Sequence, residues 1–298
     1  MADADRDARS QPSPPGLAPP GLASPSGLAP PGLGPRAPAA APVDLPGRSS
    51  PSQSGRAPGN GSAPGLALGF ARGSLAVFLK DLRIEVATRE IVTTAAFFAA
   101  LVAILASVAF ATGPQTTTRV APGALWLAVV FSSILALGRT WQREREESAL
   151  VGLLVSPIPR AAIWCGKAAG VLVFILAVEA VVVPLVALLF HVDLPPIAGP
   201  LAMVMVLGSI GVAATGTLFG AMTVRTRARE LLLASVLFPL LSPALVSSVA
   251  ATREIFYAVT SGQAVDLAEL RDWFFLLGVF DAVAIAGGMA MFGALVED

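Results

Sequence analysis

Six apolar segments, near 91–112, 122–138, 168–190, 201–222, 231–249 and 273–295, restrict what this chain can fold into. Each is about 17 to 23 residues long, enough to cross about 30 Å of hydrocarbon at roughly 1.5 Å per residue. Backbone polar groups find no water inside a bilayer, so such runs are read as helices. The fifth carries Pro239 and Pro243 and is expected to kink, or to break into a shorter span and a re-entrant piece. Composition agrees. Hydrophobic residues make up 55% of the 298 and charged residues 13%, with a mean hydropathy of +0.74. The expected class is an all-α polytopic membrane protein with six transmembrane helices. Zero formal net charge gives no sign of a nucleic-acid surface.

The segments before the first span differ from one another. Residues 1–70 are a Pro/Gly/Ala-rich tail in which Pro14-Pro15-Gly16-Leu17-Ala18 recurs as Pro19-Pro20-Gly21-Leu22-Ala23. Such a stretch cannot bury enough apolar area to offset its ordering entropy and is expected to be disordered, a passive extension or a Pro-rich docking ligand. Its acidic start lacks the apolar core of a cleaved signal peptide. The membrane domain is assigned to 74–298. Its first part, 74–89, has Leu75, Phe78, Leu79, Leu82 and Val86 on one helical stripe, with Ser74 as N-cap. It is too charged to span and suits a helix lying in the membrane interface.

Between the second and third spans lies the charged stretch 139–160, RTWQREREESALVGLLVSPIPR. Its second half places Leu150, Leu153 and Leu154 on one face, and Ser156-Pro157-Ile158-Pro159 stops the helix. It reads either as a solvated loop or as a protruding knob that receives force from a soluble partner. Lys and Arg concentrate before span one (Arg72, Lys80, Arg83, Arg89), after span two (Arg139, Arg143, Arg145, Arg160, Lys167) and after span four (Arg225, Arg227, Arg229). The other side has Arg119, Arg253 and Arg271. Both termini and the knob are therefore expected in the cytoplasm. The outer stretch 250–272 is expected to hold a short surface helix around Leu267 and Leu270.

Small residues recur at packing spacing. Gly216 and Gly220 sit in span four, and Gly278, Ala282, Ala286, Ala290 and Ala294 run down span six. Contacts within one chain and between two copies both fit these stripes. No P-loop, H-E-x-x-H or G-x-S-x-G is present, so no enzymatic constellation is visible and no ATP site of that type exists in the chain. A lone cysteine, Cys165, excludes an internal disulfide framework, and no metal site is expected. The single histidine, His191, at the outer end of span three, is an interfacial residue or a candidate ligand to haem iron. Glu179 and Asp281 fall inside apolar spans. A charge there is costly unless paired, hydrated or protonated, so each is either a hydrogen-bonded interior carboxyl or part of a translocation path.

From Phe78 onward the chain resembles the haem exporter protein B family, the CcmB-type permeases of cytochrome c maturation. The likeness is carried by Leu79-Lys80-Asp81-Leu82-Arg83-Ile84-Glu85 and Ala121-Pro122-Gly123-Ala124-Leu125-Trp126. It continues through the knob to Gly166-Lys167, then in Arg229-Glu230-Leu231-Leu232-Leu233 and Phe238-Pro239-Leu240-Leu241-Ser242-Pro243. The resemblance implies an ABC-2-like permease of the bacterial inner membrane, dimeric, with no cofactor of its own. It implies a separate ABC ATPase as partner, which supplies ATP hydrolysis. It further implies other maturation proteins and a periplasmic haem chaperone, with haem as cargo or chaperone release as outcome. The knob then becomes a coupling helix, in which Glu144, Glu146 and Glu147 give polar contacts to the ATPase. Leu150, Leu153 and Leu154, followed by Ser156 and Pro157, give the rest. An exporter of lipid or another small molecule, or a non-transporting scaffold, has the same hydropathy. The orientation is open to direct test. A phosphatase fused after Gly262 should be active and one fused after Arg227 inactive; the reverse would overturn the charge census.

Overall fold

A computed structural model describes residues 63–110, 114–146, 152, 155–223 and 229–297. The expected tail up to residue 62, and the knob residues Glu147, Leu150, Leu153 and Leu154, lie outside them. The described chain is helical: α1 (Ala63–Thr88), α2 (Glu90–Ala109), α3 (Pro114–Glu146), α4 (Arg160–Phe190), a 3-10 turn at Pro195–Ile197, α5 (Ala198–Thr223), α6 (Arg229–Thr260) and α7 (Leu267–Glu297). Among the described residues, six helices are long and apolar enough to cross a membrane. The chain is a multi-pass membrane protein.

Helix α1 precedes the six. It is one helix from Ala63, so Ser74 lies inside it and is not its N-cap. Its buried positions are Gly73, Val77, Asp81 and Glu85, an i, i+4 row. Leu75 and Val86, from the stripe read as its apolar face, are exposed. Phe78, Leu79 and Leu82 of the same stripe are half-buried, with Leu82 packed on the core, so the stripe lies along the edge of the contact with the bundle. A single left-handed residue, Arg89 (φ 53°), joins it to α2.

The bundle is built around α3, α4 and α5, with α2 and α7 on the outside. Helix α2 packs on α3 and α4, and α6 on α3 and α5. Along α2, Phe97, Leu101, Leu105 and Val108 point outward, consistent with a lipid-facing side. Glycines on α5 receive large side chains from α3. A Cβ on Gly208 would overlap Trp126, one on Gly216 would overlap Leu137, and one on Gly220 would overlap Trp141. The span-four glycine pair therefore serves contacts within one chain. Its counterpart on α7 does not, since Ala282, Ala286, Ala290 and Ala294 are exposed.

Two expectations need correction. Of the two outcomes expected for the fifth span, the break does not occur: α6 runs from Arg229 to Thr260 through Pro239 and Pro243. Pro243 lacks the N–H that would reach the Pro239 carbonyl, and the Ser242 hydroxyl donates to that carbonyl instead, at 2.7 Å. Ser247 donates to the Pro243 carbonyl at 2.7 Å. The stretch around Leu267 and Leu270 is the first turn of α7 and not a separate surface helix. Asp266 opens it by accepting the Ala268 N–H at 2.8 Å.

The glycine contacts give a stability test. Gly220→Leu should cost about 1–3 kcal/mol or more through overpacking against Trp141. Gly123→Leu, at a position where a Cβ meets open space, should be tolerated. Thermal unfolding and membrane accumulation read both.

Candidate functional site

The charged ends of α1, α3 and α4 converge in one buried cluster. At its centre is Lys167 of α4, only 1% exposed. Its Nζ donates to Glu144 Oε1 of α3 at 2.5 Å and lies 2.8 Å from Asp81 Oδ2 of α1. It also stands 6.0 Å from the centroid of the Trp141 ring. Lys80 adds a second ammonium, 2.6 Å from Glu144 Oε1 and 3.2 Å from Asp81 Oδ1. Burial pulls the Lys80 ammonium down, but the hydrogen bond to Glu144 and the neighbouring carboxylates outweigh it and raise its pKa above the usual lysine value. Its contribution is thus complete below about pH 10.5 and fades only above that, as pH passes its raised folded value.

The cluster continues outward. Glu85 accepts the Val92 N–H at 2.8 Å, so a carboxylate on α1 satisfies a free donor in the first turn of α2. Arg143 lies 3.7 Å from Glu85 and 3.3 Å from Glu90, and Arg139 lies 3.4 Å from Glu90. Four helices therefore meet through charge at the end of the bundle.

Local sequence explains the approach. A Cβ on Gly166 would sit 2.5 Å from the Ser74 carbonyl oxygen and 2.8 Å from Val77 Cβ. Gly170, one turn on, faces Asp81. The two glycines make a groove on α4 for α1, and Lys167 projects beside it. On the far side of the knob, Pro159 opens α4, its carbonyl accepting the Ala162 N–H at 2.9 Å. Ile158 just before it packs on Gly73 of α1. Both flanks of the segment 147–154 thus rest on α1, through Glu144 before it and Ile158 after it.

The sequence-based site residues fare differently. Glu144, expected to face a partner, is 4% exposed and engaged inside the chain. Its Oε1 is held by two ammonium groups and its Oε2 is buried, so neither oxygen faces a partner outside the chain. Glu146 lies in α3, its side chain beyond the description. Ser156 is half-buried and Pro157 exposed. Lys167, counted as a loop charge, proves to be the hub. Its signal was Gly166 and Gly170 around it, with Asp81 and Glu85 one turn apart on α1.

Inside the spans, the two carboxyls both rest against α5. Glu179 accepts a hydrogen bond from the Ser209 hydroxyl, and its Oε2 has no partner. Asp281 lies against Gly211 with both carboxyl oxygens buried and without partners. His191 is exposed. Its left-handed backbone (φ 56°) ends α4, where the Val192 N–H closes on the Ala187 carbonyl at 2.9 Å. No group of three or more His, Cys, Asp or Glu able to hold a metal occurs among the described residues.

Removing the central cation leaves Asp81 and Glu144 with less compensation in a buried place. Lys167→Met should therefore cost about 3–5 kcal/mol. Arg139→Gln, on the exposed rim, should cost about 0–1 kcal/mol. Thermal unfolding of the purified proteins measures both.

Comparison with known proteins places this arrangement. The family described as "CcmB protein" matches residues 72–295. Heme exporter protein B of Paracoccus denitrificans is 31% identical over 181 residues, covering 60% of this chain and 81% of that protein. The protein of the same name from Bradyrhizobium diazoefficiens is 28% identical over 148 residues, 49% of this chain and 66% of its own length. In Escherichia coli K12 the match is 29% over 91 residues, 30% of this chain and 41% of the relative. Because the family match takes in every spanning helix and the ion cluster, the chain belongs to the CcmB protein family.

Proposed function

We propose that this permease is the membrane half of an ABC-type complex in c-type cytochrome maturation. A separate ATPase subunit hydrolyses ATP, and its motion drives haem export or release of a haem-loaded chaperone. The relatives' name, heme exporter protein B, supports the cargo class. The observation that carries the coupling is geometric. The segment 147–154 leaves α3 right after buried Glu144 and re-enters just before Ile158, and both anchors sit on α1. A load on that segment therefore reaches α1, α3 and α4 together.

In this reading the bacterial inner membrane holds the complex. Both termini and the segment face the cytoplasm, and two copies act with two ATPases. Leu150, Leu153 and Leu154 fill a groove on the ATPase, with Glu146, Glu147, Ser156 and Pro157 around them. Glu144 acts from inside the permease, holding the segment's base. Glu179 and Asp281 provide the polar contacts against which α5 shifts during the cycle.

The leucine face gives the test. Burying one leucine is worth roughly 1.5–3 kcal/mol. Leu150→Ser with Leu154→Ser should thus weaken ATPase binding about a hundredfold or more, at about 1.4 kcal/mol per decade. Co-purification of the ATPase should be lost and maturation abolished while the permease still inserts. Normal ATPase retention by this double variant would remove the segment from the coupling role.

A further inference from the structure

The outward sides of the spanning helices are not alike. Phe97, Leu101 and Leu105 are exposed on α2, and Phe275, Val283 and Met291 on α7. Such rows suit lipid. On α6 the exposed row reads Ser235, Pro239, Ser242, Pro243 and Val246. These positions, at i, i+4, i+7, i+8 and i+11, fall on one helical face. Val246 is the one large aliphatic residue among them.

The prolines also open the backbone on this face. Pro239 has no N–H for the Ser235 carbonyl, and Pro243 has none for the Pro239 carbonyl. The Ser242 hydroxyl reaches the Pro239 carbonyl at 2.7 Å, and this contact is itself exposed. The row lies within Ser235–Thr260, a stretch long and apolar enough to cross a membrane. Polar backbone of this kind is costly against hydrocarbon and is tolerated where protein or a water-lined cavity covers it. Pro184 opens one carbonyl on α4 in the same way, but its exposed neighbours there are Ala180, Val181 and Leu188. Helix α6 combines two such openings with two hydroxyls on one face.

Depth and symmetry select the occupant. A soluble partner cannot cover a row that runs along a spanning helix. Apolar shoulders border the row: Val236 and Leu240 on one side, and on the other Phe238, which Phe131 of α3 meets edge-on at 5.5 Å. Small polar groups between apolar shoulders let helices pack closely in lipid. The seam holds hydroxyl donors and carbonyl acceptors together, so it is complementary to itself. Two copies inserted the same way bring equal depths of α6 together about a two-fold axis along the membrane normal. Arg253, 63% exposed, continues the row toward the far end of α6. There it would meet its own charge, so the contact stops short of it. Resting on the two-copy reading above, we propose that the Ser235–Val246 face of α6 is where two copies of this chain meet in the membrane. The serines of each copy then lie against the open carbonyls of the other.

Single cysteines placed in the full-length Cys165→Ala protein test this in native membranes. A disulfide forms only where two Cα atoms come within about 7 Å. Oxidation with lipid-permeable iodine should convert Ser235→Cys, Ser242→Cys and Val246→Cys to covalent dimers. Leu101→Cys on α2 and Ala286→Cys on α7 should stay monomeric. Native mass spectrometry of the unaltered protein gives the copy number separately. Two copies with no cross-link through α6, or with cross-links through α2 or α7 alone, would overturn the face and leave the two-copy reading standing. A single copy would overturn both. Labelling of the α6 cysteines by a membrane-impermeant thiol reagent, with no covalent dimer, would give the row to a water-lined path and overturn the proposal. If Ser242→Cys does not accumulate, Ser235→Cys and Val246→Cys decide.

Discussion

Putting an ammonium out of reach of water at the end of a helix bundle is unfavourable unless its partners are arranged before it arrives. Lys167 meets that condition through two carboxylates from two other helices, Asp81 at 2.8 Å and Glu144 at 2.5 Å. Neither carboxylate belongs to α4, so Lys167 is satisfied only when α1, α3 and α4 are all in place. Such a pair contributes little net stability over a well-packed apolar alternative, but it penalises partial assembly heavily. The glycines at 166 and 170 follow from the same constraint, because α1 must come close enough to deliver Asp81. Glu85 passes the dependence on to α2 by bonding its first turn. Four helices are thereby committed to one geometry at the end where the charged segment emerges.

The middle of the bundle is held in another way. There α5 is the shared neighbour, with Trp126 of α3, Glu179 of α4 and Asp281 of α7 around Gly208, Ser209 and Gly211. Trp126 also donates to Thr252 of α6 at 2.9 Å, and the Thr252 hydroxyl donates to the Ser248 carbonyl at 2.7 Å. Packing at this level depends on glycine and aromatic shape, with a few single hydrogen bonds. The end of the bundle depends on paired charge. In the proposed function, a firm end and a middle with unmatched carboxyl oxygens would let load enter at one end and packing change further in.

The sequence made the six spans legible because a long apolar run has one solution in lipid. It misplaced what lies at their edges. Helices α3, α4 and α6 continue past the apolar windows, since helix propensity and tertiary contacts do not stop where hydropathy does. Reading α1 by its apolar stripe found the helix but not the row that packs on the bundle. In a membrane protein the apolar row faces lipid, and the row of Gly73, Val77, Asp81 and Glu85 does the packing. Lys167 and Glu144 were read as exposed charges because isolated Lys and Glu usually are. Their burial depends on a three-helix meeting that no local window contains. The prolines of α6 do not break it, since Ser242 supplies from its side chain a donor to the carbonyl that Pro243 cannot reach. Glu179 and Asp281 stood out because a carboxylate in an apolar run is rare, but their shared neighbour α5 was not readable.

Hydrogen exchange on the intact permease tests most directly whether one buried lysine makes three helices act as a unit. Amides in the second half of α1, the last turns of α3 and the first turns of α4 should open together, with one common free energy. In Lys167→Met all three should lose protection to the same extent, while the middle of α5 and α6 keeps its own. If α1 exchanges independently of α3 and α4 in the unaltered protein, or if Lys167→Met leaves the three segments protected as before, the charge cluster does not hold the helices together and load on the segment 147–154 has no common path into the bundle.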